Sequence, residues 1–102
     1  MTSPYDKAAQ EMAKLPRAER FESLLDFPLD FSFKAIGRGA SFSGQVRQLL
    51  DRRGHPDVIL VERPSKQGRY VSITFKLHVH SGADIDAVFT ALEALPDLKL
   101  IL

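Results

Sequence analysis

Two histidines, His78 and His80, stand two positions apart, and on an extended strand that spacing puts both imidazoles on one face, where they could share a metal ion. A zinc site needs at least a third protein ligand. The remaining histidine, His55, sits beside Pro56 in a turn-like stretch, and the chain has no cysteine. The imidazoles therefore read as surface groups, and no metal is expected. The missing cysteine also excludes disulfides, thiolate catalysis and iron–sulfur clusters.

Gly37-Arg38-Gly39 is the next chemical signal, because two glycines ahead of a helix leave backbone N–H groups free to face an anion. A strand-to-helix reversal also uses glycine simply to change direction, and the Gly-x-Gly fragment lacks the rest of a dinucleotide fingerprint. Arg63, Lys66 and Arg69 form a basic cluster able to touch phosphate, or merely to solvate a loop. Acid–base or nucleophilic catalysis needs a reactive group oriented by a partner in a pocket. Here the carboxylates are scattered, the serines fall in caps and turns, and Asp84 and Asp86 suit the electropositive start of a helix. The expectation is a protein that is not an enzyme and has no cofactor.

The elements that must position these residues follow from periodicity. Ser3, Pro4 and Asp6 predict a helix start, with Tyr5, Ala8, Met12 and Leu15 as a thin stripe closed by Pro16. A further turn or two is expected from Arg17 to Leu25, with Phe21, Leu24 and Leu25 on one side. From Phe27 the period becomes two. Phe31, Phe33 and Ala35 share one face of a first strand and Ser32, Lys34 and Ile36 the other, up to the glycine turn. Ser41 is expected to cap a helix carrying Phe42, Val46, Leu49 and Leu50, which Gly54 ends. Val58 to Val61, between Pro56 and Pro64, predicts an edge strand, and Ser65 to Arg69 a hairpin loop. Tyr70 to His80 alternates, with Val71, Ile73, Phe75, Leu77 and Val79 inward and Tyr70, Ser72, Thr74, Lys76, His78 and His80 outward. Ile85, Val88, Phe89, Leu92 and Leu95 form a second amphipathic helix before Pro96, and Leu98, Leu100 and Leu102 alternate in a last strand.

This order, β-α-β-β-α-β, predicts an α+β ferredoxin-like fold, the split βαβ arrangement with a four-stranded antiparallel sheet and two helices on one face. Residues 1–22 are expected to form an N-terminal helical extension and residues 23–102 the domain, since core-like apolar density begins after the former. The sequence has 102 residues, 44% hydrophobic and 26% charged, with a formal charge of +1. That size suits one core, and the near-neutral balance means that any basic patch must be local. No apolar run approaches the roughly 20 residues that span a bilayer, and the N-terminus lacks a secretory start. No membrane partner and a cytoplasmic location are the default expectations.

The stretches Leu24-Leu25-Asp26-Phe27-Pro28, Phe31-Ser32-Phe33-Lys34-Ala35-Ile36-Gly37 and Arg63-Pro64-Ser65-Lys66-Gln67-Gly68-Arg69-Tyr70-Val71-Ser72-Ile73-Thr74 resemble the signature stretches of the bacterial YbeD-like family of unknown function. The resemblance covers roughly residues 23 to 102. It implies a ferredoxin-like fold, a cytoplasmic location and a likeness to regulatory domains of the ACT type, and it implies no enzymatic activity. In ACT-type domains the loop equivalent to Gly37-Arg38-Gly39 helps to hold an amino acid at a subunit interface. The first 22 or so residues have no counterpart in short family members, and the Ser65-Lys66-Gln67-Gly68 loop is slightly varied.

Taken together, the sequence predicts a non-catalytic regulatory or adaptor module that binds a protein partner or small metabolite through its sheet face or an exposed strand edge. Lys34, Tyr70, Ser72 and Thr74 on the open face, Gly37, Arg38 and Gly39 in the turn, and Lys66 in the hairpin are the candidate binding residues. One alternative is an ACT-like amino-acid or small-ligand sensor acting as a homodimer. The other is a weak nucleic-acid-binding domain, disfavoured because the central strands point their phenylalanines inward and leave Tyr70 as the one outward aromatic.

Overall fold

The computed structural model describes residues 14–102. The helix expected over Ser3–Leu15 lies outside the described residues, apart from Lys14 and Leu15, which form a turn and bend before Pro16. Three helices and four strands follow: α1 (Arg17–Leu24), β1 (Leu29–Arg38), α2 (Ser41–Arg52), β2 (Val61–Pro64), β3 (Tyr70–Val79), α3 (Gly82–Glu93) and β4 (Leu98–Ile101). The sheet runs β2-β3-β1-β4 with every neighbouring pair antiparallel, the ferredoxin-like order.

β1 and β3 form the spine of the sheet, with Leu29 opposite Val79 and Arg38 opposite Tyr70. This register puts Phe33 directly across from Phe75, and their rings stack at 5.2 Å. Phe33, Ala35, Ile73, Phe75, Leu77 and Val79 are buried beneath Phe42, Val46, Leu49 and Leu50 of α2 and Ile85, Val88 and Leu92 of α3. The inward parity expected for both long strands is therefore the observed one. Gly37 also faces inward, and the Phe42 ring occupies the space that a Cβ would need. Gly54, at φ 84°, ends the α2 region in a left-handed conformation that glycine adopts without strain.

Four local expectations are corrected. The edge strand is displaced from Val58–Val61 to Val61–Pro64, because Val58 and Leu60 turn onto the core and the Val58 carbonyl accepts a hydrogen bond from Arg47 instead of joining a ladder. Ser41 does not cap α2: Ala40 holds the N-cap position, and the Ser41 hydroxyl donates to Asp97. Leu24 is 64% exposed, while Phe21 and Leu25 pack against the core. Leu98, Leu100 and Leu102 do not share a face. Gly37 pairs with Leu98 but Ile36 with Leu100, so Lys99 is the extra residue of a bulge. The bulge inverts the parity: Leu98 and Ile101 pack on the core, whereas Leu100 and Leu102 are exposed.

The expected boundary at residue 22 falls inside α1, which packs along α3. Phe21 meets Phe31 and Phe89 edge-on at 5.8 and 5.4 Å. Arg17 bridges Asp86 at 2.5 Å and Glu93 at 2.7 Å while lying over the Phe89 ring. At the other end, Gly82 donates its N–H to Glu22 at 2.7 Å, and the helices approach so closely that a Cβ at Gly82 would collide with the Ala18 carbonyl.

Candidate functional site

The helices cover one face of the sheet. On the other, β-strand alternation aligns Tyr70, Ser72 and Thr74 of β3 beside Arg38, Ile36 and Lys34 of β1. β2 adds Val61 and Arg63, which pair with Thr74 and Ser72, and the bulged β4 adds Leu100 beside Ile36. Of the predicted open-face residues, Lys34, Tyr70, Ser72 and Thr74 thus stand together. Arg63 of the basic cluster joins them, as do Ile36 and Leu100, which sequence reasoning did not select.

A shallow groove of about 410 Å³ crosses this surface, with Ile36, Pro64, Tyr70 and Leu100 as its apolar floor and Arg63 and Lys99 at its margins. Arg38 lies over the Tyr70 ring, 5.9 Å from its centroid. Hydrogen bonding to Arg38, followed by the positive charges of Arg38, Lys99 and Arg69, holds the Tyr70 phenol below its ordinary pKa. Both facts mark a local positive potential that the overall charge of +1 conceals.

Gly37, Arg38 and Gly39 lie at the rim of the same sheet end, but the backbone N–H groups of Arg38 and Gly39 are already engaged. The Arg38 N–H donates to the Asp97 carbonyl at 2.8 Å, the Gly39 N–H to the Arg69 carbonyl at 3.2 Å and the Phe42 N–H to the Gly39 carbonyl at 3.5 Å. The Asp97 carboxylate accepts from Ser41 and Gln45 at 3.2 and 2.7 Å, so the chain's own acid stands at the start of α2. The chemistry of the turn is consistent with fastening β1, α2 and the residues before β4 together. Gly39, at φ 85°, supplies the reversal. Lys66 lies at the exposed tip of the hairpin, which closes through Ser65 N–H to Tyr70 and Gly68 N–H to Ser65.

His78 and His80 occupy the opposite end of β3, with rings edge-on at 5.1 Å. His78 Nδ1 lies 2.9 Å from Asp30 on the neighbouring strand, and His55 borders the same depression. Among the described residues no cluster of three or more His, Cys, Asp or Glu is arranged to hold a metal ion. Nor is any polar or charged residue among the buried ones described. Ser81 caps α3 by accepting the Asp84 N–H at 3.2 Å, while Asp84 accepts the His80 N–H at 2.8 Å, which gives Asp84 a structural partner. A second hollow of about 580 Å³ follows the seam of α1, α3 and β4, where Arg17 is already paired. No helix described is long and apolar enough to cross a membrane.

Comparison with known proteins agrees with the resemblance drawn from the signature stretches. A family model described as "Protein of unknown function (DUF493)" matches residues 22–102. A UPF0250 protein of Shewanella loihica is 34% identical over 84 residues, covering 81% of this chain and 96% of the relative. The UPF0250 protein of Idiomarina loihiensis is 32% identical over the same shares. The solution structure of protein HP0495 from H. pylori superposes with a TM-score of 0.66 at 16% identity, covering 100% of this chain and 97% of that one, and is similar in fold.

Proposed function

The chain belongs to the DUF493 family of unknown function, and from that premise we propose that it is a non-catalytic adaptor or regulatory module that binds a protein partner across its open sheet face. One observation carries this reading: on a face that no element of the described chain covers, Ile36, Tyr70 and Leu100 form an apolar centre surrounded by cations. Core packing cannot explain those side chains, since they lie opposite the core. An exposed apolar patch rimmed by polar groups is a common feature of interaction surfaces.

A small metabolite fits this surface less well. Small-ligand sites enclose most of the ligand in a concavity, whereas this groove is shallow and lies on a sheet surface.

The test is affinity capture from the native host with the wild-type chain and with a variant carrying Lys34→Ala, Tyr70→Ala and Ser72→Ala. The replacements should change stability by about 0.5 kcal/mol or less at each position, and the variant should lose the proteins that the wild type retains. A folded variant that retains the same proteins would remove this face as the binding surface and redirect attention to the Gly37-Arg38-Gly39 turn.

A further inference from the structure

We propose that the partner element seated on the open sheet face is an amphipathic helix whose apolar stripe is flanked by carboxylates. This rests on the reading of the face as a protein-binding surface and adds the chemistry of what binds. The dimensions suit one helix. From β2 to β4 the face spans three interstrand spacings, about 14 Å, against a helix diameter of about 10–12 Å with side chains.

The charges set its character. Lys34, Arg38, Arg63 and Lys99 surround the apolar centre, and the groove lining contains no carboxylate. Lys34, Arg38, Arg63 and Lys99 are exposed, and none takes part in an ion pair among the described residues. A helix with Leu or Ile along its centre and Glu or Asp beside them would bury the floor and place acids within reach of these cations, which favours the encounter electrostatically. The same pattern disfavours a second copy docked face to face, which would oppose cation to cation. Single-stranded nucleic acid would also need more stacking aromatics than Tyr70 alone.

The experiment uses fluorescein-labelled helical peptides with one Leu stripe, flanked by Glu, Gln or Lys in otherwise identical sequences, and measures anisotropy with the full chain. The Glu peptide should bind at least about tenfold more tightly than the Gln peptide, consistent with a difference of one or two charge pairs. Its affinity should fall as salt rises. The double variant Arg63→Glu and Lys99→Glu should abolish that preference, and Arg52→Glu with Arg53→Glu, at the end of α2, should leave it intact. Equal binding of the Glu and Gln peptides, or none by the Glu peptide, overturns the acidic-helix assignment. Face-dependent capture from the host would still uphold the protein-binding reading in that case. Tighter binding of a single-stranded oligonucleotide, or self-association lost in Ile36→Asp, would assign the face to nucleic acid or a second copy and equally overturn the proposal.

Discussion

Replacing Gly82 by alanine should destabilise the protein, although alanine is the better helix former. Glycine costs about 1 kcal/mol relative to alanine in a helix interior, so propensity alone would predict stabilisation, reduced here because Gly82 opens α3. The added methyl would collide with the Ala18 carbonyl and lie 3.0 Å from the Glu22 backbone nitrogen. Backbone cannot turn aside as a side chain can, so α1 must shift or leave. A shift of packed elements costs about 1–3 kcal/mol. Complete detachment sets the ceiling: about 1.5–3 kcal/mol at most for a fully buried phenylalanine, of which half-buried Phe21 supplies part. The Glu22 hydrogen bond to Gly82 adds about 1 kcal/mol, and each partly exposed Arg17 ion pair a few tenths. Two-state urea denaturation should therefore show a net loss of about 1–2 kcal/mol, with faster amide exchange in α1. In a chain lacking residues 1–20 the Ala18 carbonyl is gone. There the same substitution should be neutral or stabilising, while the truncated protein still unfolds cooperatively because its buried core lies elsewhere. A stabilised full-length Gly82→Ala would refute the close packing of α1 on α3.

Phe75→Ala should cost about 3–5 kcal/mol in the same assay, since Phe75 is 2% exposed and stacks on Phe33; a loss below about 1 kcal/mol would show that the strand parity is wrong. Glu93 supplies a pH test. The hydrogen bond from Arg17 holds its carboxyl below the ordinary value, so its stabilising contribution is present above the unfolded-state pKa and is lost as pH falls through the depressed folded value. Wild type should accordingly exceed Glu93→Gln in Tm near neutrality, with the gap closing in acid; a gap independent of pH would exclude this linkage.

The long elements were legible because each carries a single unambiguous period. In β3, five inward apolar residues alternate with polar ones, and in α2, Phe42, Val46, Leu49 and Leu50 fit one helical stripe, so burial and pattern coincide. β4 was misread because Leu98, Leu100, Ile101 and Leu102 put apolar residues at both parities. Alternation cannot locate a bulge in such a run, and pairing with Ile36 and Gly37 decides it. β2 failed for a similar reason: Val58 to Val61 is apolar throughout, and two of its members were drawn to the core by tertiary contacts with no local signature. Asp97 at the start of α2 was also beyond local reading, since it lies 56 residues from the serine it accepts from.

The candidate face illustrates a more general consequence of a period of two. Burial fixes only the inward positions, so the outward ones are free to be polar, and an apolar residue there needs another cause. Ile36 carries that information in the sequence, but taken alone it is indistinguishable from an ordinary exposed aliphatic side chain. Its significance depends on what lies beside it across the strands. The register brings Ser72 and Leu100 next to Ile36, and Arg38 next to Tyr70, gathering residues from four strands into one apolar centre with a cationic border. Charge segregation arises in the same way: Asp84, Asp86 and Glu93 belong to α3, on the far side of the sheet, while a nearly neutral chain gathers Lys34, Arg38, Arg63 and Lys99 around the open-face groove. Composition averages that polarity away, and only the pairing of the strands restores it.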